Sequence, residues 1–103
     1  MLQEQKINEL LKSLPLWTMD NGQLVREVKF QDFLDAVGFI NNLIPICEEM
    51  NHHPDIHLSF CKMRLNLFTH SASAVTELDF ILAKTLEKIL STWPTLKNNS
   101  RNP

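Results

Sequence analysis

Between Asp55 and Thr69 apolar and polar residues alternate, but the phase of the alternation changes midway. Ile56, Leu58 and Phe60 occupy even positions, whereas Met63, Leu65 and Leu67 occupy odd ones. Side chains on a strand repeat with a period of two, so one flat strand cannot bury both sets on the same face. A bulge or a very tight connection near Cys61-Lys62 must absorb the extra residue. An earlier strand pair is signalled by Trp17–Asp20, Asn21-Gly22 and Gln23–Phe30, because Asn-Gly supplies the positive φ angles of a two-residue hairpin turn. In its second strand Leu24, Val28 and Phe30 share a face that Arg26 interrupts.

Helical spacing surrounds these strands. Ile7, Leu10, Leu11 and Leu14 predict a helix over about 3–14, closed by Pro15. Phe33, Val37, Ile40, Ile44, Cys47 and Met50 mark a longer one over 32–50, with Asp32 near its positive N-terminal end. Pro45 removes a backbone donor there and crowds the Asn41 carbonyl, so a kink or a split helix is expected. Thr76-Glu77-Leu78-Asp79 resembles a capping box, and Leu78, Ile81, Leu82, Thr85, Leu86 and Ile89 then mark a final helix ending before Trp93-Pro94. The order α-β-β-α-β-β-α predicts an α+β fold, a four-stranded antiparallel sheet with three helices packed on one face. The other face is then solvated or covered by another subunit. One domain over 1–94 is expected, with a disordered tail over 95–103 that has nothing to bury.

Composition narrows the function. With 103 residues, 44% of them hydrophobic, the chain can build a core without disulfides. A net charge of -2 lacks the basic footprint of a nucleic-acid binder. The longest apolar run, Leu43 to Cys47, falls far short of the roughly 20 residues that span a bilayer. The start, MLQEQKINEL, mixes charged and polar residues where a signal peptide would be apolar. Cys47 and Cys61 form neither a framework nor a CxxC pair, so a reducing, cytoplasmic setting is expected. Gly22 and Gly38 are the only glycines, which excludes a Gly-rich phosphate loop.

The histidines carry the remaining chemistry. His52 and His53 follow the long helix directly, with Pro54 constraining the backbone, and His70 ends the last strand. Both are loop positions, where scaffolds place catalytic groups, and imidazole gives and accepts protons near neutral pH. Taken singly, each has an ordinary reading. His-His-Pro suits a solvated helix end, Glu48 and Glu49 an exposed helix face, and Asp79 a cap. His57 alternates with Ile56 and Leu58, points to the opposite face and receives no role. The spacing matches neither HExxH nor paired CxxC, so no metal site is expected. Cys47 fits the apolar stripe as a small buried hydrophobe, without a signature for nucleophilic catalysis.

Glu48, three residues, His52-His53-Pro54, five residues, Phe60, nine residues, His70, eight residues and Asp79 together resemble the signature of the pterin-4a-carbinolamine dehydratase family. Trp17, the FxxFxxAxxFI run from Phe30 to Ile40, and Thr69-His70 followed by Val75-Thr76 extend the resemblance over about residues 14–90. It implies an α+β fold and a homodimer or homotetramer. The implied reaction is loss of water from 4a-hydroxytetrahydrobiopterin to give quinonoid dihydropterin, by histidine acid/base catalysis without metal or cofactor, in tetrahydrobiopterin recycling. His52, His53 and His70 would be catalytic. Trp17, Glu48, Asn51, Phe68, Thr69, Ser71 and Asp79 would complete the substrate site, with Trp17 stacked on the pterin. Glu48, one helical turn before His52, would hold that imidazole.

Some relatives also act as dimerisation cofactors for a homeodomain transcription factor. That alternative implies a protein partner and a nuclear pool, without direct DNA contact. Four positions depart from the family pattern. Asn51 replaces an aspartate, Leu58 and Phe60 an Asn-x-Tyr pair, and Ala74 a glycine whose positive φ would be costly for alanine. Pro45 is unusual within the second helix.

Overall fold

The computed structural model describes residues 2–93. The tail expected over 95–103 lies outside the described residues. Asn21 (φ 50°) and Gly22 (φ 75°) both adopt left-handed backbone and join β1 (Trp17–Asp20) to β2 (Gln23–Lys29). The phase change between Asp55 and Thr69 is a second hairpin, not a bulge. Only Phe60 and Cys61 separate β3 (Asp55–Ser59) from β4 (Lys62–Leu67), with Phe60 at φ 57°. Chain reversal pairs Ile56 with Leu65 and Leu58 with Met63, so even residues of β3 and odd residues of β4 reach the same face. All pairings are antiparallel, in the order β1-β2-β4-β3.

Three helices complete the chain: α1 (Glu4–Leu11), α2 (Phe33–Met50) and α3 (Glu77–Ser91). The core forms where Leu24, Val28, Met63, Leu65 and Leu67 of the sheet meet Phe39 and Leu43 of α2 and Phe80, Leu82 and Leu86 of α3. α1 is shorter than expected and adds partly buried Ile7, Leu10 and Leu11. Residues paired across the other sheet face, such as Glu27, Arg64 and His57, are polar. There Arg64 bridges Asp20 at 2.6 Å and Glu27 at 3.1 Å. His57 thus points away from the core, as its alternation predicts.

The stripe on α2 differs from the expected one. Ala36, Phe39, Leu43 and Cys47 are buried, while Phe33 is 53% and Ile44 49% exposed. The helix is apolar on more than one side, so the same periodicity admits two stripes one position apart. A similar shift on α3 buries Phe80 and Ala83 and leaves Ile81 exposed, although Leu82 and Leu86 lie as predicted. α2 runs unbroken through Pro45. Asn41, whose carbonyl loses its helical donor to that proline, lies on the exposed side, where water can replace it. Positive φ falls on Ser73 (51°) rather than Ala74, so the cost expected at Ala74 does not arise there.

Candidate active site

The site begins where α2 stops. Asn51 takes the left-handed conformation, φ 51° and ψ 44°, and its N–H returns to the Cys47 and Glu48 carbonyls. Asparagine tolerates this backbone better than most residues, so the position has a local reason for its side chain. His52 then hydrogen-bonds through its own N–H to the Cys47 carbonyl at 3.1 Å and turns its ring inward. His52 Nε2 lies 2.5 Å from Asp79 Oδ1 in the first turn of α3. The Asp79 carboxylate is fully buried and also accepts the Thr76 N–H at 2.9 Å, the backward half of the predicted capping box.

The expected pairing of Glu48 with His52 does not occur. Glu48 Oε2 lies 2.5 Å from His53 Nε2, and both side chains are exposed. The one-turn relation ends once Asn51 leaves the helix, and the outward ring is the one five residues on. His70 opens a short 3-10 turn, His70–Ala72, and sets its ring edge-on to Phe68 at 5.2 Å and 74°. An ionised carboxylate only accepts hydrogen bonds, so His52 and His53 each direct Nε2–H at their partner and keep Nδ1 as the second proton site. Burial first, and Glu48 second, push the neighbouring Cys47 thiol up from its ordinary value.

All three histidines line one open cleft of about 390 Å³, together with Asn51, Phe68, Thr69 and Ser71. Asp55 and Leu78 also line it, and sequence reasoning missed both. The only signal was proximity to the motif, because Asp55 read as a strand start and Leu78 as part of a core stripe. Glu48 and Asp79 reach the cleft through the histidines they hold. Trp17 does not line it. It is 2% exposed on β1, at the sheet edge opposite β3, and its Nε1–H donates to Glu87 Oε1 at 2.7 Å. Among the described residues no three His, Cys, Asp or Glu side chains are placed to hold a metal ion.

A four-stranded antiparallel sheet backed by three helices, with three imidazoles and two attendant carboxylates at one end, defines a small α+β protein with a histidine-lined cleft. The family model described as pterin 4 alpha carbinolamine dehydratase matches residues 1–89, and the chain belongs to that family of dehydratases. Curated relatives carrying the provisional name pterin-4-alpha-carbinolamine dehydratase include one from Metallosphaera sedula, 38% identical, over 85% of this chain and 92% of that protein. Another, from Acidobacterium capsulatum, is 40% identical over 86% of this chain and 97% of that one. A crystal structure described as a transcriptional coactivator/pterin dehydratase from Brucella melitensis superposes with a TM-score of 0.80. It is 34% identical and covers 85% of this chain and 96% of its own.

Proposed function

We propose that this chain dehydrates 4a-hydroxytetrahydrobiopterin to quinonoid dihydropterin by histidine acid/base catalysis, within tetrahydrobiopterin recycling. The observation that carries this reading is the convergence of His52, His53 and His70 on one cleft. The departing hydroxyl needs a proton, and the adjacent ring nitrogen must lose one, so a protonated and a neutral imidazole together leave no net proton change. Each transfer is worth roughly 10²- to 10⁴-fold in rate. Exposed His53 and His70 suit proton exchange, whereas buried His52, held by Asp79, suits orientation or a second acid/base role. Asn51, Phe68, Thr69 and Ser71 supply the walls for the pterin.

The test follows the decay of freshly prepared 4a-hydroxytetrahydropterin by absorbance, with and without protein and with a chelator. Chelator-insensitive acceleration that disappears in a His53→Ala/His70→Ala double variant is expected. Decay at the spontaneous rate would reject the reading. Exposed Phe33, Leu34 and Ile44 on α2, with Ile81 on α3, favour a homodimer or homotetramer, measurable by sedimentation. The same apolar surface and the description of the Brucella protein favour a second reading as a dimerisation cofactor for a transcription factor. In that case the double variant would still bind its partner.

A further inference from the structure

Thr69 lies between the end of β4 and His70, and its backbone and side chain serve different parts of the cleft. The backbone pairs with Ala74 in both directions, Thr69 N–H to the Ala74 carbonyl at 3.0 Å and the return bond at 3.4 Å. The Thr69 carbonyl also takes the Ala72 N–H at 3.0 Å. These bonds close the short loop that carries His70. The hydroxyl reaches towards α3 instead and donates to Asp79 Oδ2 at 2.7 Å. Thr76 Oγ1 lies 2.7 Å from the same Thr69 oxygen.

Proton counting gives this row a direction. An ionised carboxylate accepts only, and a threonine hydroxyl owns one proton. That proton of Thr69 is committed to Asp79, so the Thr76 hydroxyl must donate to Thr69. On the other carboxylate oxygen Asp79 receives Nε2–H of His52 at 2.5 Å. The row therefore runs from Thr76 through Thr69 to Asp79 and meets His52 from the opposite side. Threonine suits the position because its branched Cβ restricts χ1 and so aims the hydroxyl.

We infer that Thr69 is a positioning residue that sets His52 relative to His70. Its backbone holds the His70 turn, and its hydroxyl locks the carboxylate that orients His52. The kinetic part of this inference rests on the dehydratase reading. Thr69 also lines the cleft, but this role differs from hydrogen-bonding the substrate through the hydroxyl, whose proton is already engaged by Asp79. Without the hydroxyl, Asp79 Oδ2 keeps only the Thr76 N–H, and the carboxylate can swing and carry His52 with it. A displacement of about 1 Å in such a group can cost about 100-fold in rate.

Thr69→Val removes the donor while keeping the branched shape, and Thr69→Ser keeps the donor. In Thr69→Val we expect kcat to fall about 10- to 100-fold with KM near the wild-type value. Nitrogen NMR should show the His52 Nε2–H signal broadened by water exchange, and Thr69→Ser should restore both readouts. A raised KM with unchanged kcat would overturn the inference and make Thr69 a substrate contact. Unchanged kcat together with an unchanged His52 signal would overturn it as well. If the wild-type protein does not accelerate the reaction, the dehydratase reading fails and the His52 signal alone decides. Should Thr69→Val not fold, Thr69→Cys, a weaker donor of similar size, is read in the same way.

Discussion

Two imidazole–carboxylate pairs of equal length sit a few residues apart, and their burial predicts different consequences. His52–Asp79 and His53–Glu48 both measure 2.5 Å, but Asp79 is fully buried and Glu48 is 69% exposed. Removing the buried carboxylate strands the Thr69 hydroxyl, the Thr76 N–H and the His52 ring, at about 1–3 kcal/mol for each unsatisfied group, whereas an exposed pair contributes about 0–1 kcal/mol. Asp79→Ala should therefore lower unfolding free energy in urea by several times more than Glu48→Gln. Comparable losses in the two variants would show that burial does not govern these pairs. Cys47 provides a second residue-scale prediction. Its folded-state pKa is raised from 9.0 by burial and then by Glu48, so the folded chain holds the thiol proton more tightly than the unfolded chain. The corresponding stability is complete below the unfolded pKa and is lost as pH rises through the folded one. Urea unfolding across this alkaline range should show a steeper decline for the wild type than for Cys47→Ala. Parallel slopes would exclude the effect.

At the scale of elements, local chemistry was legible in the sequence and global facing was not. Asn21-Gly22, the phase change at Cys61-Lys62 and the Thr76/Asp79 cap each concern a few consecutive residues, and each forms as read. The histidine cluster was legible only through the family resemblance, because helix end and strand end gave His52, His53 and His70 ordinary roles singly and their convergence is long-range. The buried side of α2 was not, because residues on two adjacent stripes are apolar and tertiary packing chose between them. Glu48 was matched to the wrong histidine because helical spacing was carried two residues beyond the helix, past Asn51 to His52. Phe60 offers the test at this scale. It has φ 57° and is 67% exposed, so an L-residue bears a left-handed backbone without the compensation of deep burial. That conformation costs roughly 1–2 kcal/mol for most residues and less for asparagine. Phe60→Asn should raise Tm by a few degrees, since about 1 kcal/mol corresponds to roughly 4–8 °C in a domain of this size. A lower Tm would mean that the ring's contacts outweigh the backbone strain.

Across the whole molecule, one polar clamp joins the helical layer to the sheet. Arg26 lies on the core face of β2 and meets Glu87 of α3 through Nε at 3.0 Å and Nη2 at 3.3 Å, while its Nη1 donates to the Glu27 carbonyl at 2.7 Å. Trp17 donates to the same Glu87 carboxylate at 2.7 Å, so β1, β2 and α3 share a single acceptor. This explains both the charged residue that interrupts an apolar strand face and the position of Trp17 away from the cleft. Glu87→Ala would leave a guanidinium that is only 10% exposed without its carboxylate, together with an unpaired indole N–H. The loss should approach the roughly 3–5 kcal/mol of a buried pair, reduced because Glu87 itself is partly solvated. Combining Arg26→Met with Glu87→Leu removes both charges, and should recover most of that loss except the roughly 1–3 kcal/mol owed to the indole. Urea unfolding of Arg26→Met alone, Glu87→Leu alone and the two combined forms a cycle that isolates the pair. Independent, additive losses would mean that the layers are held by apolar packing alone. Strong coupling, with KM for the pterin unchanged in folded Glu87→Ala, would establish Trp17 as part of the clamp that holds the layers together rather than as a wall of the substrate site.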